Sequence, residues 1–479
     1  MLTLVSLPLL LDGLGTAAFG TWALLQTFSA LTGWLSLADL GLGVATTRAV
    51  ADRASLDDEA GVGRAVGSSL VTALAIGLVC AALLLVVGRA AMPAAFNVPA
   101  ALRDDLRFAL VPFALQVVCE LLGSMAGFSL DGVQRIDRSR ALESLRRTVV
   151  IGASVVVAQG GGGLRGVAVA AALASAAATA LALGVLLRSV PLASLRASRA
   201  ESAALLHYGR RVWLLNGTGV LHRTMDRTVV GAILGPAAVA LVEIATQVQN
   251  GVAAVLSAAS YAATTSAAWV QARADRDRLR ELLLRGTKYT CLVTLPLCGL
   301  VAVLAAPLLE AWLGSRYLEA AGLVALAVAY LATQAPLATG SNLLLGVGRA
   351  GAILGPAAVA VAVNLGASIV LVHTNGIAGA FVATILSSLV LTPLLARAVA
   401  DATGVAIGEV ARTAVLPTIW PALAAVAVAG AVRLAGWGDL VTLVLGFGLG
   451  GLAWLVVGAA LALTADERTE LRQLVPVGR

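Results

Sequence analysis

The segment Leu14-Gly15-Thr16-Ala17-Ala18-Phe19 recurs 220 residues later as Leu234-Gly235-Pro236-Ala237-Ala238-Val239. Two further short segments recur in the same order, 214 and 213 residues apart: Gly132–Arg135 as Gly346–Arg349, and Gly163–Gly166 as Gly376–Gly379. Each match is short, but the shared order and the nearly constant spacing indicate two halves descended from one ancestral unit.

The composition is that of a chain embedded in a membrane. Apolar residues make up 59% of the sequence, charged residues make up 12%, and the mean hydropathy is +0.93, which excludes an ordinary soluble domain. Apolar stretches such as 68–88 and 415–432 are long enough to cross a hydrocarbon core of ~30 Å as helices. The first apolar stretch lacks the basic segment of a cleaved signal peptide. Basic cytoplasmic loops explain the net charge of +7 better than nucleic-acid binding does.

Apolar stretches bounded by charged residues, glycine or proline predict an all-α membrane protein with about fourteen transmembrane helices. The predicted spans cover approximately residues 1–14, 19–45, 66–88, 107–130, 145–159, 164–187, 211–234, 237–261, 287–310, 319–345, 352–373, 377–396, 413–432 and 440–463. Alternate loops and the tail contain 24 basic residues, against 6 in the opposite loops. This asymmetry predicts that both termini lie in the cytoplasm.

The repeat predicts the division of the chain into domains. We expect an N-terminal six-helix bundle (1–187), a basic cytoplasmic linker (188–210), a C-terminal six-helix bundle (211–398), and peripheral spans 13 and 14 with a cytoplasmic tail (399–479). Because six is even, both bundles have the same orientation, so a pseudo-symmetry axis along the membrane normal is expected, with a cavity between them. The linker is either an amphipathic surface helix or a solvated loop. Span 1 is short for a crossing, and a start at an internal methionine would explain this.

Several charged residues fall inside predicted spans, where each costs about 2.5–3.5 kcal/mol unless it faces a cavity or a partner. In span 7, Arg223 and Arg227 are four residues apart and share a helix face, with Asp226 on its flank. The surplus positive charge predicts a cationic wall that binds an anionic substrate. The alternative is a self-neutralised cluster that fixes helix packing. Arg48 in span 2 is a further candidate for the cavity, unless it extends to the cytoplasmic surface.

Three carboxylates inside spans are candidates for ion coupling: Asp39 in span 2, Glu120 in span 4 and Glu243 in span 8. Asp39 precedes Gly41 and Gly43, which permit local unwinding of a helix. A carboxylate among apolar neighbours can carry a proton, although Glu120 and Glu243 could equally be neutral, hydrogen-bonded structural residues. Apart from coupled H⁺ or Na⁺, no cofactor is predicted.

The sequence lacks the motifs of the common membrane-associated enzymes. It contains no GxxxxGK[ST] phosphate-binding segment, no HExxH zinc motif and only three histidines. We therefore expect neither ATP hydrolysis nor metal-dependent catalysis, and no metal site. The protein is predicted not to be an enzyme.

Short motifs close several of the predicted spans. Span 1 ends in Leu14–Gly20 (LGTAAFG), span 2 ends in Asp39–Gly43 (DLGLG) followed by Arg48, and span 7 carries Asp226-Arg227 before Leu234–Pro236. Over essentially its whole length the chain resembles bacterial polysaccharide flippases. These are the O-antigen and exopolysaccharide exporters of the multidrug/oligosaccharidyl-lipid/polysaccharide (MOP) superfamily.

This resemblance implies a MATE-like fold and a flippase in the bacterial cytoplasmic membrane. Its substrate would be an undecaprenyl-diphosphate-linked oligosaccharide or polysaccharide repeat unit, exported by alternating access. Arg48, Asp226 and Arg227 match cavity charges of the family. Implied partners are the lipid-linked saccharide, membrane lipids, a polysaccharide polymerase and chain-length proteins. The short span 1, and Glu243 in place of a small or aromatic residue, depart from the family pattern and leave the coupling mechanism open.

Two other functions remain open. An ion-coupled multidrug or cation antiporter of the same superfamily would normally have twelve spans and an acidic cavity, whereas spans 13 and 14 and Arg227 argue against it. A membrane-embedded glycan polymerase or ligase would need a large outside loop, and the longest candidate, near residues 90–106, is short.

An arginine fork suits a diphosphate because it donates two hydrogen bonds to adjacent oxygens.

Overall fold

The computed structural model describes residues 2–190, 195–272, 276–349, 351–465 and 467–469. Across these ranges the backbone forms helices joined by short turns and contains no strand, which confirms the predicted all-α fold. The chain divides into two compact units, Met1–Glu243 and Ile244–Arg479. Each unit is described by itself.

The first unit is built around a core between four of its helices. Its helices are α1 (Leu2–Leu14), α2 (Thr16–Gln26), α3 (Leu42–Ala54), α4 (Glu59–Leu83), α5 (Arg89–Ala95), α6 (Ala100–Gly132), α7 (Ile136–Gln159), α8 (Gly163–Leu187), α9 (Arg199–Leu234) and the start of α10 (Pro236–Ala272). Val50, Val66, Leu130 and Leu186 come from α3, α4, α6 and α8 and are fully or almost fully buried against one another. Burial of apolar side chains therefore joins segments that lie far apart in the sequence.

The second unit is organised around a long central helix. After the remainder of α10 it contains α11 (Arg276–Val303), α12 (Ala305–Leu313), α13 (Ala321–Gly346), α14 (Gly351–Asn375), α15 (Ile377–Thr403), α16 (Ile407–Val410), α17 (Leu416–Leu434) and α18 (Asp439–Val457). One face of α11 packs against α13, where Leu283 and Leu343 are buried. Near its other end, Leu300 and Leu304 pack against Ala425 of α17. Helices α17 and α18, which correspond to predicted spans 13 and 14, thus pair with each other and rest on α11.

Ten helical segments of the described ranges are long and apolar enough to cross a membrane. They establish a multi-pass membrane protein. Of the four other predicted spans, span 1 is a short apolar helix and span 2 is interrupted. Spans 5 and 7 correspond to α7, whose first half is charged, and to α9, which carries charged residues near its start and in its second half. The number fourteen and the pseudo-symmetry of the bundles therefore stay predictions.

The repeated sequence segments form equivalent helix junctions. Leu14 ends α1 and Leu234 ends α9, and the glycines that follow them, Gly15 and Gly235, have φ values of 75° and 84° before the next helix begins. Glycine adopts a positive φ without the steric cost that a side chain brings. The other two repeated segments lie at the α6–α7 and α13–α14 junctions, and at the α7–α8 and α14–α15 junctions. The repeat in the sequence is therefore a repeat of turn geometry.

The second half of the predicted linker lies within a helix. Because α9 begins at Arg199, the second half of the predicted linker 188–210 forms the first turns of α9, and residues 191–194 lie outside the described ranges. This part of α9 packs on α3 and α4: Arg53 donates to Glu201 at 2.8 Å, and the hydroxyl of Thr72 lies 3.0 Å from that of Ser202. From Arg199 onward the linker is therefore a helix that packs on its neighbours, and not a solvated loop.

A buried ion pair anchors the end of the described chain to the second unit. Lys288, the single lysine of the sequence, donates from Nζ to Glu467 Oε2 at 2.5 Å, and both side chains are buried. The amide of Thr464 donates to the same oxygen at 2.8 Å, as in a helix-capping box. Burial alone would raise the pKa of Glu467, but the hydrogen bonds from Lys288 and Thr464 outweigh it and hold the pKa below its ordinary value. The segment that follows α18 is therefore held against α11.

Helix α2 is packed so closely against the α9–α10 junction that a glycine is required. A Cβ atom on Gly20 would overlap the carbonyl oxygen of Pro236, and one on Gly231 would press on the side chain of Leu24. The end of α9 thus lies directly on α2, which is the first part of predicted span 2.

This contact predicts that Gly20→Ala destabilises the protein, because the added methyl group meets backbone and not a movable side chain. Overpacking of this kind costs about 1–3 kcal/mol, and the apparent melting temperature of the purified protein should fall by several degrees. Gly184→Ala is the matched control, since a Cβ on that helical glycine meets nothing within 4 Å. Equal melting temperatures for the two variants would contradict the close packing of α2 on the junction.

Candidate substrate site in the first unit

The second predicted span is a broken helix. Helix α2 ends at Gln26 and α3 begins at Leu42, and residues 27–41 between them form what we call the break. Within the break lie a series of turns, a 3₁₀ helix Trp34–Asp39, and left-handed backbone at Leu40 and Gly41. Irregular backbone at membrane depth is tolerated only where protein buries it or where it lines a cavity, and broken helices commonly form transporter binding sites.

Glu120 of α6 binds the break on one side. Its Oε2 accepts a hydrogen bond from the hydroxyl of Ser29 at 2.8 Å and another from the amide of Ala30 at 2.9 Å. Its Oε1 accepts from Gln116 Nε2 at 2.8 Å. Glu120 is only 3% exposed, so a buried carboxylate replaces part of the hydrogen bonding that the backbone loses when it leaves the helix.

Helix α9 lines the other side of the break and runs antiparallel to it. Trp213 donates from Nε1 to the carbonyl of Leu37 at 2.6 Å, and Trp34 donates from Nε1 to the hydroxyl of Thr228 at 2.8 Å. Near the start of α3 the backbones of the two elements come so close that a Cβ on Gly41 would overlap α9. The charged part of α9 is therefore held beside the break by two indole hydrogen bonds and a glycine contact.

The charges of α9 are not equivalent. Arg227 forms an ion pair with Glu243 of α10, with Nη2 and Oε2 2.8 Å apart and side chains 22% and 11% exposed. Asp226 is half-buried and interacts with other groups of the fold. Arg223 is exposed, and no carboxylate of the described ranges lies within ion-pair distance of it. With Glu243 counted, the two positive and two negative charges of this group balance, and Arg223 is its exposed cation.

The remaining predicted residues of span 2 lie in two different places. Asp39 is half-buried in the break, where its Oδ2 accepts a weak hydrogen bond from the amide of Gly43 at 3.5 Å; its Oδ1 is buried, with no hydrogen-bond partner among the described atoms. Arg48 lies further along α3, stacked at 4.6 Å on the ring of Tyr208 and 3.5 Å from Asp52, with its side chain 58% exposed. The structure thus brings Asp39 and Glu120 to the break, pairs Arg227 with Glu243, and places Arg48 beside the first turns of α9.

Sequence patterns did not reveal several polar residues of this site: Ser29, Trp34, Gln116, Trp213 and Thr228. A signal existed for Gln116, because it precedes Glu120 by four residues and so shares its helix face. The others are single polar or aromatic residues in apolar surroundings, and their partners lie far away in the sequence. No group of three or more His, Cys, Asp or Glu side chains in the described part of the chain could hold a metal ion.

The Arg227–Glu243 pair makes a prediction about stability. Arg227→Met should destabilise the protein by about 3–5 kcal/mol, because it leaves the Glu243 carboxylate buried without its cation. The double variant Arg227→Met/Glu243→Leu removes both charges and should regain most of this loss. Thermal unfolding of the wild type and of both single and double variants in detergent gives the coupling energy. A double variant no more stable than Arg227→Met would contradict the pair.

Known proteins share this fold and part of this sequence. A family model described as polysaccharide biosynthesis protein matches residues 14–322, more than half of the chain. No curated protein has significant sequence similarity to it. Among solved structures, the inward closed lipid II flippase MurJ matches with a TM-score of 0.75 and 11% identity over 96% of each chain. An inward-facing multidrug resistance MATE family transporter of the MOP superfamily matches with a TM-score of 0.72 and 17% identity, over 86% of this chain and 96% of that one.

A third structure, a MOP superfamily transporter from Pyrococcus furiosus, matches with a TM-score of 0.54 and 16% identity, over 85% of this chain and 96% of that one. At such low identities the structural matches establish the fold, which confirms the expected MATE-like architecture. The family model establishes the sequence family. The chain therefore belongs to the polysaccharide biosynthesis protein family.

Proposed function

We propose that the protein is a flippase that exports an undecaprenyl-diphosphate-linked oligosaccharide or polysaccharide repeat unit by alternating access. It would act in the bacterial cytoplasmic membrane with both termini in the cytoplasm. The observation that carries the proposal is Arg223: an exposed arginine on a helix that lies beside a broken membrane span, in a chain of the polysaccharide biosynthesis family.

The charges around α9 favour an anionic ligand. Glu243 compensates Arg227, so Arg223 offers a guanidinium that no carboxylate of the described residues neutralises. A guanidinium donates several hydrogen bonds in a planar fork that matches two phosphate oxygens. A lysine in this position would supply only a point charge, and the chain has a single lysine, which is paired elsewhere.

Export of a diphosphate is physically favourable without a coupled ion. One charge that crosses the full membrane potential gains about 2.3 kcal/mol per 100 mV, so a diphosphate with two negative charges gains roughly 4.6 kcal/mol when it moves to a positive exterior. Coupling to H⁺ or Na⁺ through Asp39 or Glu243 remains an additional proposal. The fold is also that of MurJ, a lipid II flippase, which supports a lipid-linked substrate.

An ion-coupled multidrug or cation antiporter is the second candidate, and one observation favours it. Asp39 places a buried carboxylate oxygen in the break without a hydrogen-bond partner among the described groups, and such an oxygen suits a cation. The same fold serves a multidrug resistance transporter. In the Pyrococcus furiosus protein, a reversed polarity of the binding pocket suggests a different function. The sign of the charge that binds the substrate therefore separates the two candidates.

Arg223→Ala tests the flippase proposal. When the variant is expressed in a strain that lacks the chromosomal gene, surface polysaccharide should be about tenfold or more below the wild-type level, because charge-assisted hydrogen bonds are worth ~1.5–3 kcal/mol. Arg223→Lys should export an intermediate amount, since it keeps the charge and loses the fork. Arg210→Ala, at an exposed arginine of the same helix, is the control and should export normally.

The same strains report on the alternative. Export by Arg223→Ala at the wild-type level would contradict the flippase proposal. Resistance to cationic drugs that depends on the wild-type gene and disappears in Asp39→Asn would support the antiporter. Protein amounts in the membrane, measured for every variant, exclude a trivial loss of expression.

A further inference from the structure

Glu120 is a buried charged residue for which the proposed function has no task. The sequence suggested that it could carry a coupled proton. In the structure it lies on α6, bound to Ser29 and Ala30 near the start of the break, and is 3% exposed.

One oxygen of Glu120 satisfies two consecutive backbone amides of the break. Oε2 accepts directly from the amide of Ala30 at 2.9 Å and from the hydroxyl of Ser29 at 2.8 Å. The oxygen of that same hydroxyl accepts from the amide of Leu31 at 3.1 Å. Unsatisfied backbone groups are costly in hydrocarbon, so the carboxylate and the Ser29 relay make this irregular backbone tolerable.

The segment that Glu120 holds also sets the position of the surface that meets α9. The amide of Gly33 donates to the carbonyl of Ser29 at 3.0 Å, and the amide of Trp34 donates to the carbonyl of Thr27 at 2.8 Å. These bonds close a compact loop that leads straight into the 3₁₀ helix. Side chains three apart in a 3₁₀ helix lie on one side: the indole of Trp34 donates to Thr228 of α9, and the side chain of Leu37 lies beside Gly217 of α9.

The surroundings of Glu120 fit a hydrogen-bond acceptor. Its hydrogen bonds with the described residues are all accepted from donors: Ser29 and Ala30 at Oε2, and Gln116 at Oε1. A proton on Oε2, where both acceptor positions are occupied, would displace one of these donors.

We propose that Glu120 is a positioning residue of the transport site. It holds the break against α6 and so sets the position of the contact between the break and α9. It does so as a fixed hydrogen-bond acceptor and not as the carrier of a coupled proton. The link to transport rests on the proposed function, whereas the structural role of Glu120 does not.

Glu120→Gln distinguishes a positioning residue from a proton carrier. The amide is isosteric, and its carbonyl can keep the bonds from Ser29 and Ala30 if its NH₂ group faces Gln116. Gln116 can then turn its own amide over without losing a bond, because its Oε1 has no hydrogen-bond partner among the described atoms. A positioning role is therefore retained in Glu120→Gln, while a proton-carrying role is lost.

The experiment measures hydrogen–deuterium exchange of the Ala30 and Leu31 amides in the full-length protein in lipid nanodiscs, together with glycan export in cells. Glu120→Gln should exchange and export close to the wild type. Glu120→Ala should exchange about tenfold faster or more at both amides and export little. Ser29→Ala should speed exchange at Leu31 and leave Ala30 protected, which keeps the test valid if Glu120→Ala does not fold. Glu143→Gln, at a surface acid of α7 paired with arginines, is the control.

Each contrary result has a distinct meaning. Unchanged exchange in both Glu120→Ala and Ser29→Ala overturns the positioning role. Normal exchange with abolished export in Glu120→Gln, rescued by Glu120→Asp, overturns it in favour of a proton carrier. Faster exchange with undiminished export in Glu120→Ala overturns the link to transport. If the wild type itself exports no glycan, the proposed function fails while the exchange data still decide the role of Glu120.

Discussion

The backbone of predicted span 2 is interrupted and loses its helical hydrogen bonds within the span, and neighbouring helices of the first unit supply other partners. Between Gln26 and Leu42 the backbone amides and carbonyls of span 2 need partners that hydrocarbon cannot supply. Glu120 of α6 and the Ser29 hydroxyl accept from the amides of Ala30 and Leu31, and backbone turns satisfy several other amides. Two tryptophan hydrogen bonds join the break to α9. A charged helix and a broken helix are thereby held together, and this pairing of elements makes a binding site possible.

Pairing then determines which charge is available to a ligand. Arg227 and Glu243 satisfy each other in a partly dry environment, where the loss of one partner is far more damaging than the absence of both. They are best understood as a structural pair that joins the two helices of the repeated junction. Arg223, four residues before Arg227, remains exposed. Arg223 and Arg227, which the sequence predicts to form one cationic wall, thus differ: Arg227 belongs to a structural pair, and Arg223 is exposed.

Local chemistry made part of this predictable. Apolar length identified most helices, and the repeated glycines marked helix junctions because their positive φ is a local requirement. The sequence indicated local unwinding only near Gly41 and Gly43; the start of the break escaped prediction, because residues 27–33 contain neither a charged residue nor a proline and were included in a continuous span. The acceptor for Ala30 lies 90 residues away, and no periodic pattern relates the two. The Arg227–Glu243 pair was missed for a related reason, because the turn at Gly235 brings together residues of two different predicted spans. The first turns of α9 were assigned to a linker because their helical pattern is too polar for a membrane span.

The account stands on the claim that this site moves an anionic lipid-linked saccharide. The most direct measurement reconstitutes the purified protein in liposomes and follows two probes, a fluorescent polyprenyl-diphosphate saccharide and a cationic dye, under an imposed membrane potential. The account predicts that the diphosphate lipid crosses, faster when the far side is positive, and that the dye does not. Transport of the dye, with no protein-dependent movement of the diphosphate lipid, would contradict it.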